Sequence, residues 1–263
     1  MIAIFAGTGS YPKEIIYSLK KNNKKFIIIN ITEKRLNNSF KFQLGQFGKI
    51  LKFLKDYKVK EVIFAGYVKR PTLSNLKLDL KAVSYLPQLI KAFKSGDGNI
   101  LNLAKKILNH NNIKVVESHK YSKNLLLNKT ATQKKPNKVD FLDAKKGKKI
   151  LDNLSKFDNA QGIVIDEGYI VAIEAAEGTD NMLKRVIKLN KNKKKRSGVL
   201  IKFPKKKQNL KYDLPTIGLK TVELCIKSKL NGIFLKKNQN IFLNQKKSIN
   251  LSNKNKFFIS TMQ

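Results

Sequence analysis

The sequence predicts an α/β protein made of two α/β domains. In its first third, short runs rich in β-branched residues alternate with helical patterns, which is typical of a parallel sheet wrapped by crossover helices. The apolar periodicity then stops in a polar, proline-containing stretch at residues 130–138, which we interpret as a linker. Beyond it the alternation resumes. A chain of 263 residues is long enough for two domains of ordinary length.

The N-terminal domain, residues 1–129, is predicted to be a Rossmann-like parallel sheet that binds nucleotide or substrate. A strand, a glycine turn, a helix face and a second strand form a βαβ unit. The same order recurs, with helices expected around residues 50–54 and 100–109. The four predicted strands cover residues 2–6, 26–31, 61–65 and 113–116.

The C-terminal domain, residues 139–263, is predicted to be a mixed α/β domain that carries the catalytic groups. Its clearest local signal is Asp166-Glu167-Gly168 between two apolar runs, which indicates a hairpin. Helices are expected to about residue 154 and over residues 180–189 and 217–229. A strand is expected at residues 199–203, with short strands toward the end.

The net charge of +37 is spread along the chain rather than gathered on one face. Lysine supplies nearly all of it, and no arginine forks or stacking aromatics accompany it, so we expect no nucleic-acid partner. A hydrophobic content of 41% places the chain among folded proteins. Such a positive field attracts anionic substrates and anionic membrane surfaces.

Cysteine usage and hydropathy point to the cytoplasm. Cys225 is the single cysteine, so no intrachain disulfide can form, and we expect it to be a packing residue. No apolar run approaches the roughly 18 residues of a membrane-spanning helix. The first residues lead into a strand rather than into a basic region and a long apolar core, so secretion is not indicated.

A glycine loop follows the first predicted strand and opens a helix. Backbone N–H groups of Gly7, Thr8, Gly9 and Ser10 there could approach a phosphate at the positive end of the helix, although an ordinary turn would have the same residues. Pro12 stands where a dinucleotide fingerprint needs a third glycine. A nicotinamide-dependent oxidoreductase is therefore only the alternative function, and a non-catalytic nucleic-acid or membrane binder comes third.

Three of the chain's 18 acidic residues, Glu174, Glu177 and Asp180, cluster at a predicted strand end. Carboxylate oxygens are the ligands that a magnesium ion prefers, and a phosphate substrate could complete its coordination. Helix capping by Thr179 and Asp180 is the alternative explanation. Asp213, just before a predicted helix, could cap that helix or catalyse.

Three basic residues at predicted strand ends could clamp an anion: Lys69, Arg70 and Lys202. In so lysine-rich a chain, each of them alone is weak evidence.

Long tracts of the sequence also resemble a known family over nearly the whole chain. The tracts that carry the resemblance are residues 44–49 (LGQFGK), 64–71 (FAGYVKRP), 172–183 (AIEAAEGTDNML) and 213–223 (DLPTIGLKTVE), together with the glycine loop and Gly96-Asp97. The chain is similar to the LpxI family of UDP-2,3-diacylglucosamine pyrophosphatases. It departs from the family pattern at Thr8, where a glycine is usual, and at Gly98, where a second acid is usual.

The resemblance implies magnesium-dependent hydrolysis of an acylated UDP-glucosamine to lipid X and UMP, by a protein peripheral at the inner membrane. Water is expected to attack the phosphorus nearer the glucosamine. A homodimer is an open alternative. From the residues themselves we predict a magnesium ion held by Asp213 and one or more of Glu174, Glu177 and Asp180. The predicted catalytic residues are Asp213, Glu174 and Lys202, and the predicted substrate-binding residues are Gly7, Thr8, Gly9, Ser10, Lys69, Arg70, Asp97 and Thr179.

Overall fold

The structure, a computed structural model, describes residues 1–69, 72–94, 97–117, 119–157, 160–206 and 209–263, without the side chains of Leu73 and Asp97. The chain divides into two compact units. The first unit contains Met1–Lys123 and Lys211–Asp213; the second contains Asn124–Leu210 and Leu214–Gln263.

The first unit is built on a parallel five-stranded sheet in the order β3-β2-β1-β4-β5. Its central strand β1 is buried at every position and pairs in parallel with β2 and β4. The Rossmann-like sheet predicted from the sequence is therefore confirmed. The strands are β1 (Ile2–Ala6), β2 (Phe26–Asn30), β3 (Phe40–Lys41), β4 (Glu61–Ala65) and β5 (Lys114–Val115).

Within its described residues, the first unit contains five α-helices. The first of them begins at Tyr11 with Pro12 in its first turn, where a proline costs no intrahelical hydrogen bond. Ile15 and Leu19, one helical turn apart, are buried on its inner face. The helices are α1 (Tyr11–Lys21), α2 (Phe47–Asp56), α3 (Leu80–Val83), α4 (Leu86–Lys94) and α5 (Asp97–His110).

The second unit contains a mixed five-stranded sheet in the order β12-β10-β8-β6-β7. Strand β6 runs antiparallel to both of its neighbours, whereas β8, β10 and β12 are mutually parallel. The strands are β6 (Gly162–Asp166), β7 (Tyr169–Ile173), β8 (Val199–Lys202), β10 (Gly232–Lys236) and β12 (Phe258–Met262), and a separate parallel pair is formed by β9 (Thr216–Ile217) and β11 (Ile241–Phe242).

Helices cover the two faces of this sheet unequally. One helix, α6 (Lys138–Leu154), packs on β6 and β8 and is followed by a 3-10 turn, Ser155–Phe157. The opposite face carries α7 (Gly178–Leu189), α8 (Leu219–Lys227) and α9 (Gln245–Lys254). Cys225 is fully buried in α8 within that core. None of the helices in the described ranges is long and apolar enough to cross a membrane.

The β6–β7 hairpin is fixed by its turn residues and by one buried acid. Glu167 and Gly168 both have positive φ values, 47° and 83°, as a tight two-residue hairpin turn requires. Asp143 of α6 accepts hydrogen bonds from the backbone N–H groups of both, at 2.9 and 2.7 Å. Burial raises the pKa of the Asp143 carboxyl above its ordinary value.

The segment expected to be a linker is hydrogen-bonded to the second unit. The backbone N–H of Ala131 donates to the carbonyl oxygen of Ile259 at 2.9 Å, and the N–H of Ile259 donates to the hydroxyl of Thr132 at 2.9 Å. Asn137 then caps α6 in a capping box with Asp140. Residues 130–138 are thus anchored along β12 and at the start of α6 rather than forming a free tether.

Candidate active site

The loops that follow β1 and β4 meet at the carboxyl edge of the first unit's sheet. The chain leaves β1 toward β2 on one side, and β4 lies on the other, so this is the point where ligands bind in open α/β sheets. A Cβ atom on Gly7 would lie 2.6 Å from the carbonyl oxygen of Tyr67, and one on Gly66 would lie 2.6 Å from that of Thr8. Both positions therefore need glycine for the two loops to pack together.

Two of the four residues predicted to cradle a phosphate use their backbone N–H groups within the protein. Gly7 donates to the carbonyl oxygen of Ala65 at 2.8 Å, and Thr8 donates to that of Tyr67 at 2.7 Å. The Thr8 hydroxyl also donates to Tyr67, at 3.0 Å. These donors hold the loop in place and are not directed at a ligand.

The remaining two residues of the loop carry the donors that a ligand could use. Among the described residues, no protein acceptor receives the backbone N–H of Gly9 or Ser10. Gly9 is exposed with a φ of 97°, and Ser10 is the N-cap residue of α1 without a side-chain capping bond. Of the four residues predicted to bind a phosphate, Gly9 and Ser10 are therefore the two whose backbone donors could serve a ligand.

The other predicted substrate-binding residues of the first unit are only partly described. Lys69 is exposed in the loop after β4. Arg70 and the side chain of Asp97 lie outside the described residues.

An open cleft of about 800 Å³ lies beyond the carboxyl end of β2. It is lined by polar and charged residues, among them Asn30, Glu33, Arg35 and Lys41. Two of these lining residues form a long ion pair, with Lys41 Nζ 3.6 Å from Glu33 Oε2. In Rossmann-like sheets, an acidic residue in this region, after the second strand, binds the ribose of a nucleotide.

In the second unit, three predicted site residues form one hydrogen-bonded chain. Lys202 Nζ, at the end of β8, donates to the Thr179 hydroxyl, which donates to Glu174 Oε2 at 2.9 Å. Lys202 Nζ also lies 3.4 Å from Glu174 Oε2, and the side chains of the two charged residues are 6% and 13% exposed. The structure thus brings Glu174, Thr179 and Lys202 together as one group, which we call the lysine relay.

Two residues that the sequence analysis did not identify shape the lysine relay. Gly162 on β6 leaves space for the Glu174 carboxylate, because a Cβ there would lie 2.5 Å from Glu174 Oε2. Asn240, which is 1% exposed, donates to the Lys202 carbonyl at 3.0 Å and accepts from the Lys236 N–H at 2.8 Å. No local pattern marks either residue, because the relay residues on which they act, Glu174 and Lys202, are distant from them in sequence.

The other two clustered acids face different cations. Glu177 Oε1 lies 2.5 Å from Arg185, whose hydrogen bond holds the pKa of Glu177 below its ordinary value. Asp180 lies 3.1 Å from Lys220 Nζ and accepts a hydrogen bond from the Thr221 hydroxyl at 3.0 Å, so it joins α7 to the first turn of α8.

This arrangement does not match a metal site built from the second unit's acids. The three carboxylates are each paired with a separate cation instead of converging on a shared point. Across the residues that the structure describes, no group of three or more histidine, cysteine, aspartate or glutamate side chains could hold a metal ion.

Asp213 lies in the short segment Lys211–Asp213, which belongs to the first unit. Its neighbour Tyr212 packs on that unit's core, with Lys105 Nζ of α5 4.6 Å from the ring centroid. Asp213 itself is exposed. The segment therefore presents this carboxylate from the first unit, although the chain on both sides of it belongs to the second.

Comparison with known proteins covers both units. Residues 1–125 match the model of the LpxI N-terminal domain, and residues 128–260 match that of the LpxI C-terminal domain. The chain is 30% identical over 242 residues to the UDP-2,3-diacylglucosamine pyrophosphatase LpxI of Caulobacter vibrioides, covering 88% of this chain and 86% of that protein. The chain belongs to the LpxI family.

Proposed function

We propose that this protein hydrolyses the pyrophosphate bond of UDP-2,3-diacylglucosamine, yielding lipid X and UMP for lipid A biosynthesis. The observation that carries the proposal is the lysine relay, a buried cation held at a strand end, in a chain whose two halves both match the LpxI family. One water is consumed. Its oxygen bonds to the phosphorus nearer the glucosamine, and the bond from that phosphorus to the bridging oxygen breaks, so UMP leaves with the bridging oxygen.

Lys202 is the group that we assign to the phosphoryl oxygens. Negative charge develops on these oxygens during phosphoryl transfer, and a positioned cation in a site with little water stabilises it. The Thr179 hydroxyl and the Glu174 carboxylate both accept hydrogen bonds from the ammonium group and so fix its position. The carboxylate also balances the positive charge of Lys202. Glu174 is therefore proposed to position Lys202.

The nucleotide end of the substrate is assigned to the first unit. The N–H groups of Gly9 and Ser10 lie at the start of α1, where a helix favours anions. The cleft after β2 is open to a sugar and offers hydrogen-bonding groups. We propose that the UMP moiety binds across these two features, with Lys69 and Arg70 contributing positive charge.

Magnesium dependence is a proposal that comes from the family resemblance. Such an ion would act as a Lewis acid on a phosphoryl oxygen. Asp213 is the residue that we propose as its ligand. Because Glu174, Glu177 and Asp180 each have a cationic partner, we assign no step to an ion held by them. Activity after EDTA treatment, with and without added Mg²⁺, tests the requirement.

We also propose that the enzyme associates with a membrane surface and that it forms a homodimer. A diacylated substrate resides in a membrane, so the protein is expected at the inner-membrane surface on the cytoplasmic side. Sedimentation velocity of the purified protein tests whether it is a homodimer.

The direct test is release of UMP from UDP-2,3-diacylglucosamine by the purified protein, followed by chromatography of both products. UMP and lipid X in equal amounts would support the proposal. Binding of substrate without products over hours, with and without divalent cations, would contradict it. The family models and the relative that match this chain do not support the oxidoreductase alternative. Absence of NADH binding in the same preparation would exclude it.

A further inference from the structure

From residue 138 to residue 149, the outward side of α6 carries apolar and basic side chains without an acid, and the half-exposed Asp152 follows in the last turn of the helix. Three large apolar side chains in its first turns, Val139, Phe141 and Leu142, are 48%, 40% and 56% exposed. The remaining exposed positions up to residue 149, all of which the structure describes, are lysines: Lys138, Lys145, Lys146 and Lys149. We call this surface the α6 face.

The two acids of the same helix segment are buried and form hydrogen bonds within the protein. Asp140 and Asp143 are each only 3% exposed. Asp140 forms the capping box and accepts hydrogen bonds from Asn231, the shorter at 2.8 Å, whereas Asp143 holds the hairpin turn. As a result, the outer side of the helix is positively charged although its sequence contains both signs.

The α6 face is turned away from the sheet and continues past the end of the helix. Ala144 and Leu151 of α6 are buried in the core cluster between this helix and the sheet. The opposite side of α6 therefore faces outward. Phe157, in the 3-10 turn that follows, is 81% exposed. Large apolar side chains thus stand at both ends of a lysine-rich stretch.

We propose that the α6 face docks on an anionic lipid surface. Exposed apolar side chains insert at the boundary between headgroups and acyl chains, and adjacent lysines are attracted to anionic headgroups. A second copy of the chain is a poor occupant, because a two-fold contact through this face would bring the lysines of both copies together. The proposal rests on the proposed function in one respect, namely that the acylated substrate lies in the membrane.

The test is co-sedimentation with vesicles of phosphatidylglycerol and phosphatidylethanolamine, compared with vesicles of phosphatidylcholine alone. Lys145→Gln/Lys149→Gln should lower binding to the anionic vesicles about fivefold for each lysine. Val139→Ser/Leu142→Ser should lower it about tenfold or more. Phe141 is left unchanged because its ring packs 5.3 Å from that of Phe234.

A matched control lies on α7. Leu189 is 64% exposed near the exposed Lys188, but no other large apolar side chain of α7 is exposed. Leu189→Ser and Lys188→Gln should therefore bind vesicles like the wild type. Unchanged binding by the α6 variants, or an equal loss in the α7 variants, would overturn the proposal, as would a loss of dimer mass on changing the α6 face.

Hydrolysis of detergent-dispersed substrate separates this inference from the proposed function. The α6 variants should keep wild-type turnover under those conditions, because the α6 face contains none of the proposed catalytic residues. Wild-type protein that binds anionic vesicles but hydrolyses nothing would contradict the proposed function alone. Reduced turnover of the α6 variants in detergent would overturn the assignment of this face to membrane docking.

Discussion

Lys202 and Glu174 form a buried ion pair, with Nζ 3.4 Å from Oε2 and the two side chains 6% and 13% exposed. A buried pair is weak evidence for stability, because desolvation of both charges offsets most of their attraction. Loss of one partner is different, since it leaves the other charge buried and unpaired. The pair therefore allows a structural role and a catalytic role to be separated by experiment.

Neutralising both partners should restore folding but not catalysis. Lys202→Met and Glu174→Gln should each lower the free energy of unfolding by about 3 kcal/mol, whereas the double variant should recover most of that loss because no charge remains unpaired. Turnover should stay abolished in the double variant, since the cation is missing. Urea unfolding and UMP release measure the two effects. A stable and active double variant would show that the pair is only structural.

A second ion pair, in the first unit, predicts a pH-dependent stability. Burial opposes ionisation of Glu61, but hydrogen bonds from Lys120 at 2.7 Å and Tyr121 at 2.8 Å outweigh it and hold the pKa of Glu61 below its ordinary value. A lowered carboxyl pKa stabilises the fold above the pKa of the unfolded chain, and this stabilisation is lost as the pH falls through the folded-state pKa.

Glu61→Gln should accordingly cost about 1 kcal/mol at pH 7 and much less toward pH 3. Thermal or urea unfolding across that range measures the difference between variant and wild type. Glu33→Gln is the matched control, because the Glu33 side chain is 99% exposed and should show no such trend. A cost for Glu61→Gln that is equal at both pH values would contradict the assignment.

The glycine loop can be tested by two substitutions with the same backbone strain. Gly9 and Gly168 have φ values of 97° and 83°, and a Cβ at either position would meet nothing within 4 Å. Valine at either position should therefore cost about 1–2 kcal/mol through strain. Only Gly9→Val should raise the KM for the substrate, because only Gly9 lies in the proposed phosphate loop. Equal kinetics of the two variants would place the nucleotide elsewhere.

Local sequence patterns predict much of the fold, but they do not predict some of its helices. The hairpin around Gly168 was predicted because its turn chemistry is local, and the structure confirms it. Helix α9 was not predicted, because two buried serines, Ser248 and Ser252, occupy its inner face in place of the usual apolar residues. Helices α3 and α4 were also not predicted.

The site shows the same limit. Clustering of scarce acids drew attention to residues 174–180, but it could not reveal their partners. Lys202 lies 28 positions from Glu174, and Thr221 lies 41 positions from Asp180, so these pairings depend on how β8 and α8 pack. A shared metal site was therefore the natural hypothesis from the sequence, whereas the structure gives each acid its own cation.

Asp213 is the remaining carboxylate proposed for the chemical step. A group that acts on the transition state affects turnover more than it affects binding of the large lipid and uridine ends. Asp213→Asn should therefore lower kcat by about 100-fold or more while substrate affinity, measured by calorimetry, stays close to that of the wild type. Asp56→Asn, at an exposed acid at the end of α2, is the control and should keep full turnover.

The position of water attack gives the last prediction, and it does not depend on which residue activates the water. If water attacks the phosphorus nearer the glucosamine, turnover in oxygen-18 water places the label in the phosphate of lipid X, because the bridging oxygen leaves with UMP. Mass spectrometry of both products decides this in one experiment. Label in UMP would reverse the assignment of the attacked phosphorus, and Lys202 would then have to be reassigned to the uridine-side phosphate. Near-normal turnover of Asp213→Asn in the same assay would remove that residue from the mechanism.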